Sequence, residues 1–251
     1  MLAVGFALGP WSQAQWGPAR TARALPRLEE IPMAAEATIE TDSRPTPDPE
    51  ALREFAAKLD RANMKKIGAF HFAMVMGALT LWGASEAWAQ TTGWAIAGFA
   101  AVANAVIAGT VIASTLHEWG HFTGARLTEA PSPVLDAPRN HFFMFDFKMQ
   151  DADLRQFTAM SWGGILVPWV IVLAALILIP VGLTSGAALV ATLVAKAVAA
   201  SHFEVPIVRD ANACGDHNEA FKRGIAGGLG TSGRVGNLSG IAVFVLLVLA
   251  F

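Results

Sequence analysis

The feature that most constrains this chain is a series of five long apolar runs. A helix needs about 18 or more apolar residues to cross the roughly 30 Å hydrocarbon core of a bilayer. Only 15% of the 251 residues are charged, whereas a soluble domain carries about 25%, so a soluble globular fold is excluded. The sequence predicts an all-α polytopic membrane protein with four to five transmembrane helices. The runs cover residues 67–89, 94–116, 163–183, 186–202 and 238–251, the last being short for a span.

The sequence divides into two regions of different composition. Residues 1–66 hold nine of the eighteen Lys and Arg residues and many prolines, and we expect them to form a cytoplasmic, largely disordered region. Asp48 followed by Pro49 is typical of a helix start, so a short amphipathic helix is predicted over residues 49–65. Residues 67–251 form the predicted transmembrane domain, with its core at 94–216. A flexible glycine-rich loop is expected at residues 224–233, before the last run.

The distribution of basic residues predicts the orientation of the chain in the membrane. Lys and Arg occur before run one, between runs two and three, and between runs four and five, and the two remaining connections have none. Basic segments stay in the cytoplasm, so the N-terminus and the loops 126–160 and 209–236 are expected there. This asymmetry suggests a bacterial inner membrane. The net charge of −2 argues against nucleic acid as a partner.

The connection between runs two and three is predicted to contain a strand or hairpin rather than a helix. Pro131, Pro133 and Pro138 interrupt any helix in this stretch. The following residues are aromatic and partly alternate with polar ones, as in a strand. We therefore expect a small membrane-associated β segment within residues 131–150.

The second apolar run ends in the motif His117-Glu118-Trp119-Gly120-His121. Residues i and i+4 share one face of a helix, so both imidazoles can bind a single ion. Zinc suits imidazole nitrogen, and Glu118 can take a proton from water activated at such an ion. Ionisable residues at membrane depth are costly and usually functional. The motif therefore predicts a Zn²⁺ site with His117 and His121 as ligands and Glu118 as the catalytic base.

A catalytic zinc site needs a third protein ligand, and the sequence leaves its identity open. Asp210 follows the fourth run directly, on the same side of the membrane as the motif, and Asp216 lies six residues further on. Both are candidates.

The motif and the residues after it, Phe122 to Leu127, resemble the HExGHxxxAR segment of the site-2 protease family of intramembrane zinc metalloproteases. The resemblance covers residues 94–216. It implies cleavage of a transmembrane segment of another membrane protein near the cytoplasmic face, and it implies that Asp210 is the third zinc ligand. The Gly-Pro-x-x-Asn element of the family corresponds only loosely to residues 161–168, and Asp210 is followed by Ala211 where the family has Asp-Gly.

Two alternative functions are compatible with the same residues. The departures from the family pattern favour a non-catalytic scaffold or accessory subunit that keeps the fold without proteolysis. A different membrane metalloenzyme, such as a di-iron desaturase, would need several histidine clusters. The chain has six histidines and one clustered pair, which disfavours that class.

Overall fold

A computed structural model describes residues 48–251, so the predictions for residues 1–47 lie outside the described part. The all-α polytopic fold is confirmed. Five of the helices in the described part contain windows long and apolar enough to cross a membrane. The elements in chain order are α1 (Pro49–Thr92), α2 (Ala95–Leu127), β1 (Val134–Arg139), β2 (Phe143–Phe145), α3 (Leu154–Leu178), α4 (Thr184–Cys214) and α5 (His217–Ala250).

Helix α1 is longer than predicted, because it joins the expected amphipathic helix and the first apolar run into one element of 44 residues. Its start is as predicted, since Asp48 Oδ1 accepts a hydrogen bond of 3.0 Å from the Glu50 amide. The amphipathic stretch ends at Lys65 and the apolar run begins at Ile67, and no proline lies between them. The helix therefore continues from one into the other without a break. The prediction of a separate short helix ending at Lys65 was wrong. Residues 59–251 form one compact unit.

Helices α2 and α3 approach each other closely at glycines next to the histidine motif. A Cβ atom added at Gly120 would lie 2.9 Å from the Gly163 carbonyl carbon, and one added at Gly163 would lie 3.3 Å from the Gly124 amide nitrogen. Only glycine allows this backbone contact, which is a common way of packing helices in membranes. The contact brings the carbonyls of α3 alongside the two histidines.

The predicted β segment is an antiparallel hairpin of β1 and β2, in which Val134 is opposite Phe145. Pro138 is accommodated because a proline can occupy a sheet edge or an irregularity, and the register shifts between Val134 and Arg139. Val134 and Met144 are buried in a cluster with Ile67 of α1 and Phe122 of α2. The hairpin therefore packs onto the helix that carries the motif.

Helix α5 is also longer than predicted, and the expected glycine-rich loop is helical. Its N-cap is Asp216, whose carboxylate accepts hydrogen bonds from the Asn218 and Glu219 amides, and its apolar window covers Gly230–Ala250. The loop prediction and the 14-residue limit of the last run were therefore wrong.

Only some of the glycines of α5 are required by packing against α4. A Cβ added at Gly228 would lie 3.0 Å from the Phe203 ring, and Cβ atoms added at Gly236 and Gly240 would each lie 2.7 Å from an alanine Cβ of α4. Glycine permits this close approach. A Cβ added at Gly227, Gly230 or Gly233 would meet no atom within 4 Å.

Candidate metal centre

His117 and His121 lie one turn apart on α2, with their rings turned toward each other. The ring centroids are 4.5 Å apart, and the two Nε2 atoms are 3.1 Å apart. This is the arrangement predicted from the i and i+4 spacing. Both side chains are mostly buried, with exposed fractions of 22% for His117 and 10% for His121.

Backbone carbonyls of α3 determine which ring nitrogen of each histidine carries the hydrogen. The Nδ1 of His117 is 2.9 Å from the Gly164 carbonyl oxygen, and the Nδ1 of His121 is 3.0 Å from the Met160 carbonyl oxygen. A carbonyl oxygen only accepts, so each Nδ1 must donate. Each neutral ring then presents an unprotonated Nε2 to the space between the two histidines, which is the usual arrangement for a metal-binding imidazole.

Glu204 of α4 supplies the third group. Its Oε1 atom lies 3.3 Å from the Nε2 of His117 and 3.3 Å from the Nε2 of His121. The other oxygen, Oε2, is buried and has no hydrogen-bond partner. The described part of the chain was thus found to contain one group of three potential metal-binding side chains, His117, His121 and Glu204, whose ligand atoms are close enough together to hold one metal ion.

The three residues fit a bound Zn²⁺ ion. Two unprotonated nitrogens and a carboxylate oxygen are all acceptors, so they attract one another only if a cation, or an additional proton, lies between them. Ligand atoms of a tetrahedral zinc site with bonds of about 2.05 Å are roughly 3.3 Å apart. The separations here are 3.1, 3.3 and 3.3 Å. Two imidazoles and one carboxylate are also a known ligand set for catalytic zinc.

The structure does not bring Asp210, the predicted third ligand, to the two histidines; the carboxylate that lies beside them is that of Glu204. Asp210 lies six residues further along α4, which is about 9 Å at 1.5 Å per residue. Its Oδ2 instead accepts hydrogen bonds from Arg223, at 3.0 Å from Nε and 2.8 Å from Nη2. Hydrogen bonding to Asp210 raises the pKa of the Arg223 guanidinium. Asp216, the other candidate, caps the start of α5.

Glu204 is the member of the candidate metal site that the sequence did not predict. It lies two residues beyond the end of the fourth apolar run and directly before Val205 and Pro206. A carboxylate at membrane depth is energetically costly unless it is paired. This cost could have indicated, from the sequence alone, that Glu204 has a partner. Glutamate also ligates zinc as aspartate does, so its residue type did not exclude it.

Glu118 lies between His117 and His121 in sequence and is buried, with 6% of its surface exposed. Its carboxyl group interacts electrostatically with His117, His121 and Glu204. It is not one of the three converging groups.

Comparison of the chain with protein-family models, with curated proteins and with solved structures gives no match. The function of the chain must therefore be inferred from the residues of the site.

Proposed function

We propose that this chain is an intramembrane zinc metalloendopeptidase of site-2 protease type. One observation carries the proposal: His117, His121 and Glu204 converge on a single point with three acceptor atoms. A carboxylate that is not one of the ligands, Glu118, lies on the same helix turn. A group of two histidines, one carboxylate and a separate base is what metal-assisted peptide hydrolysis requires.

Each residue has a distinct role in the proposed reaction. His117, His121 and Glu204 hold the ion, and the Gly164 and Met160 carbonyls orient the two rings. A zinc ion bound there would supply Lewis acidity toward a peptide carbonyl and make hydroxide accessible near neutral pH. Glu118 accepts a proton from water as the water oxygen adds to the scissile carbonyl carbon. Glu118 then donates that proton to the amine nitrogen that leaves.

The proposed substrate is a transmembrane segment of another membrane protein, cut near the cytoplasmic face. His117 is 22 residues after the first residue of α2, or roughly 33 Å along the helix axis. That distance corresponds to the full thickness of the hydrocarbon core. The distribution of basic residues supports a cytoplasmic location for this end of α2, because Arg126 follows the motif and the opposite connection, residues 90–93, has no Lys or Arg.

The hairpin offers a place where an unwound substrate can bind as an added strand. Side chains of α1 already occupy the outer edge of β1. Asp60 Oδ1 accepts from the Val134 amide at 2.8 Å, and Asn63 Nδ2 donates to the Val134 carbonyl at 3.3 Å. The Lys66 ammonium donates to the Asp136 carbonyl at 3.0 Å. We propose that the substrate adds as a strand along residues 142–149, the stretch that contains β2.

The direct test uses zinc-loaded protein in liposomes with a panel of single-span reporter segments. Mass spectrometry of new peptide termini detects cleavage. Glu118→Gln retains the ligands and the side-chain volume but removes the base. We expect it to bind zinc like the wild type and to lose about 10²- to 10⁴-fold in cleavage rate. Equal cleavage by wild type and Glu118→Gln would refute the role of Glu118.

A second outcome separates the catalytic proposal from the scaffold alternative. If the zinc-loaded wild type cleaves no reporter, while it still binds about one zinc per chain through His117, His121 and Glu204, the non-catalytic alternative is favoured. Zinc content is measured independently of cleavage, so the metal site and the activity are tested separately.

A further inference from the structure

A buried histidine of α1 links the β hairpin to the metal-binding motif. His71 is 2% exposed. Its Nδ1 lies 3.1 Å from the Trp119 indole nitrogen, and its Nε2 lies 2.9 Å from the His141 carbonyl oxygen. Trp119 belongs to the motif on α2, whereas His141 lies in the turn between β1 and β2.

The partners of His71 determine its tautomer. An indole N–H only donates, so the His71 Nδ1 atom must accept from Trp119. The hydrogen of the neutral ring is then on Nε2, which donates to the His141 carbonyl. A single neutral tautomer satisfies both contacts, and both ring nitrogens are used.

The turn that His71 contacts has an uncommon backbone conformation. Asn140 and His141 have φ angles of 47° and 70°, as at the central positions of type I′ turns. Asparagine and histidine adopt this region more readily than other residues with a side chain, although glycine is preferred at the second position of such turns. The hydrogen bond from His71 adds a tertiary contact to this turn.

Trp119 faces away from the proposed zinc ligands, since it lies two residues, or about 200° around the helix, from His117 and from His121. Its indole packs edge-on against Phe122 with ring centroids 5.8 Å apart. A Cβ added at Gly68 of α1 would lie 3.7 Å from the indole ring. One turn of α2 thus carries the metal ligands on one face and the contact to α1 and the hairpin on the other.

We infer that His71 is a positioning residue that sets the place of the hairpin relative to the metal centre through Trp119 and the His141 carbonyl. The effect of this positioning on cleavage rests on the proposed function. A substrate strand added to β2 presents its peptide bond to the metal centre only if the hairpin is held in place. A misplacement of 1 Å can cost on the order of 10²-fold in rate.

The test measures the hairpin directly, without requiring cleavage. Spin labels are attached at Leu127→Cys on α2 and Arg139→Cys at the end of β1, both exposed positions, in a Cys214→Ser background. Double electron–electron resonance in lipid nanodiscs then gives the distribution of distances between them. His71→Phe keeps a ring but loses both hydrogen bonds, and His71→Gln keeps one donor and one acceptor.

We expect a broader or shifted distribution for His71→Phe and for Trp119→Phe, and a distribution close to wild type for His71→Gln. His141→Asn is the matched control, because only the backbone carbonyl of His141 is used and asparagine tolerates the positive φ at this position. Zinc content should stay at the wild-type level in all four variants. A distribution for His71→Phe as narrow as that of wild type, and at the same distance, would overturn the inference.

Cleavage adds a second readout where the wild type cuts a reporter. His71→Phe is then expected to lower kcat/KM by about 10- to 100-fold and to produce more than one cleavage position, while His71→Gln restores a single one. A uniform cleavage position in His71→Phe would contradict the positioning role. If the wild type cuts nothing, the proposed function fails, and the spin-label distances still decide whether His71 holds the hairpin.

Discussion

Replacing Gly164 by alanine should disrupt zinc binding without altering any ligand. An added Cβ would lie 2.5 Å from His121 Nδ1 and closer still to the Nε2 and Cε1 atoms of that ring. Ordinary contacts between heavy atoms need about 3.5 Å. The ring must therefore move by at least about 1 Å, whereas zinc ligands hold their distances to within about 0.2 Å.

The expected result is a loss of zinc affinity of at least about 100-fold, the upper end of what removing one supporting group costs. Overpacking of this kind should also destabilise the fold by about 1–3 kcal/mol. Alanine favours a helix over glycine by about 1 kcal/mol, so helix propensity acts in the opposite direction and cannot account for the loss.

The assay is a competition titration of zinc against a chromophoric chelator, with the protein purified in detergent. Gly98→Ala is the matched control, because Gly98 lies on α2 and a Cβ there would meet no atom within 4 Å. If Gly164→Ala remained folded and bound zinc as tightly as Gly98→Ala does, the predicted displacement of the His121 ring would be refuted.

Two further pairs of substitutions test the third member of the candidate metal site and the contact between α1 and the hairpin. Glu204→Gln should lower zinc affinity by more than about 100-fold, because it removes a proposed ligand rather than a supporting group. Asp210→Asn should leave zinc affinity unchanged. The reverse result in the same titration would favour Asp210 as the ligand. Asp60→Ala leaves the Val134 amide without its partner and also removes the ion pair between Asp60 and Arg126. It should lower the free energy of unfolding by about 1–3 kcal/mol, mainly through the unpaired amide. Glu219→Ala, which removes an exposed ion pair, should lower the free energy of unfolding by at most about 1 kcal/mol. Equal free energies of unfolding for Asp60→Ala and Glu219→Ala would contradict this account of the contact between α1 and the hairpin.

Features that depend on spacing along the chain were predicted correctly. The apolar runs, the hairpin within residues 131–150 and the histidine pair are of this kind, and the structure contains all three. The start of α1 at Asp48 and Pro49 is likewise a local feature. The errors concerned glycine and helix length. The glycines of residues 224–233 were interpreted as a loop because glycine lowers helix propensity. This propensity is a weak preference that tertiary context overrides, and Gly228 of this stretch packs against Phe203 of α4.

The sequence by itself determined that His117, Glu118 and His121 lie on adjacent turns of an apolar helix, because the 3.6-residue period is a property of the backbone alone. It did not determine the third member of the candidate metal site. Glu204 and Asp210 lie on the same helix, and the choice between them depends on which turn of α4 lies opposite the two imidazoles. That crossing point depends on how closely α2, α3 and α4 approach one another, which is an outcome of tertiary packing at small residues such as Gly120 and Gly164.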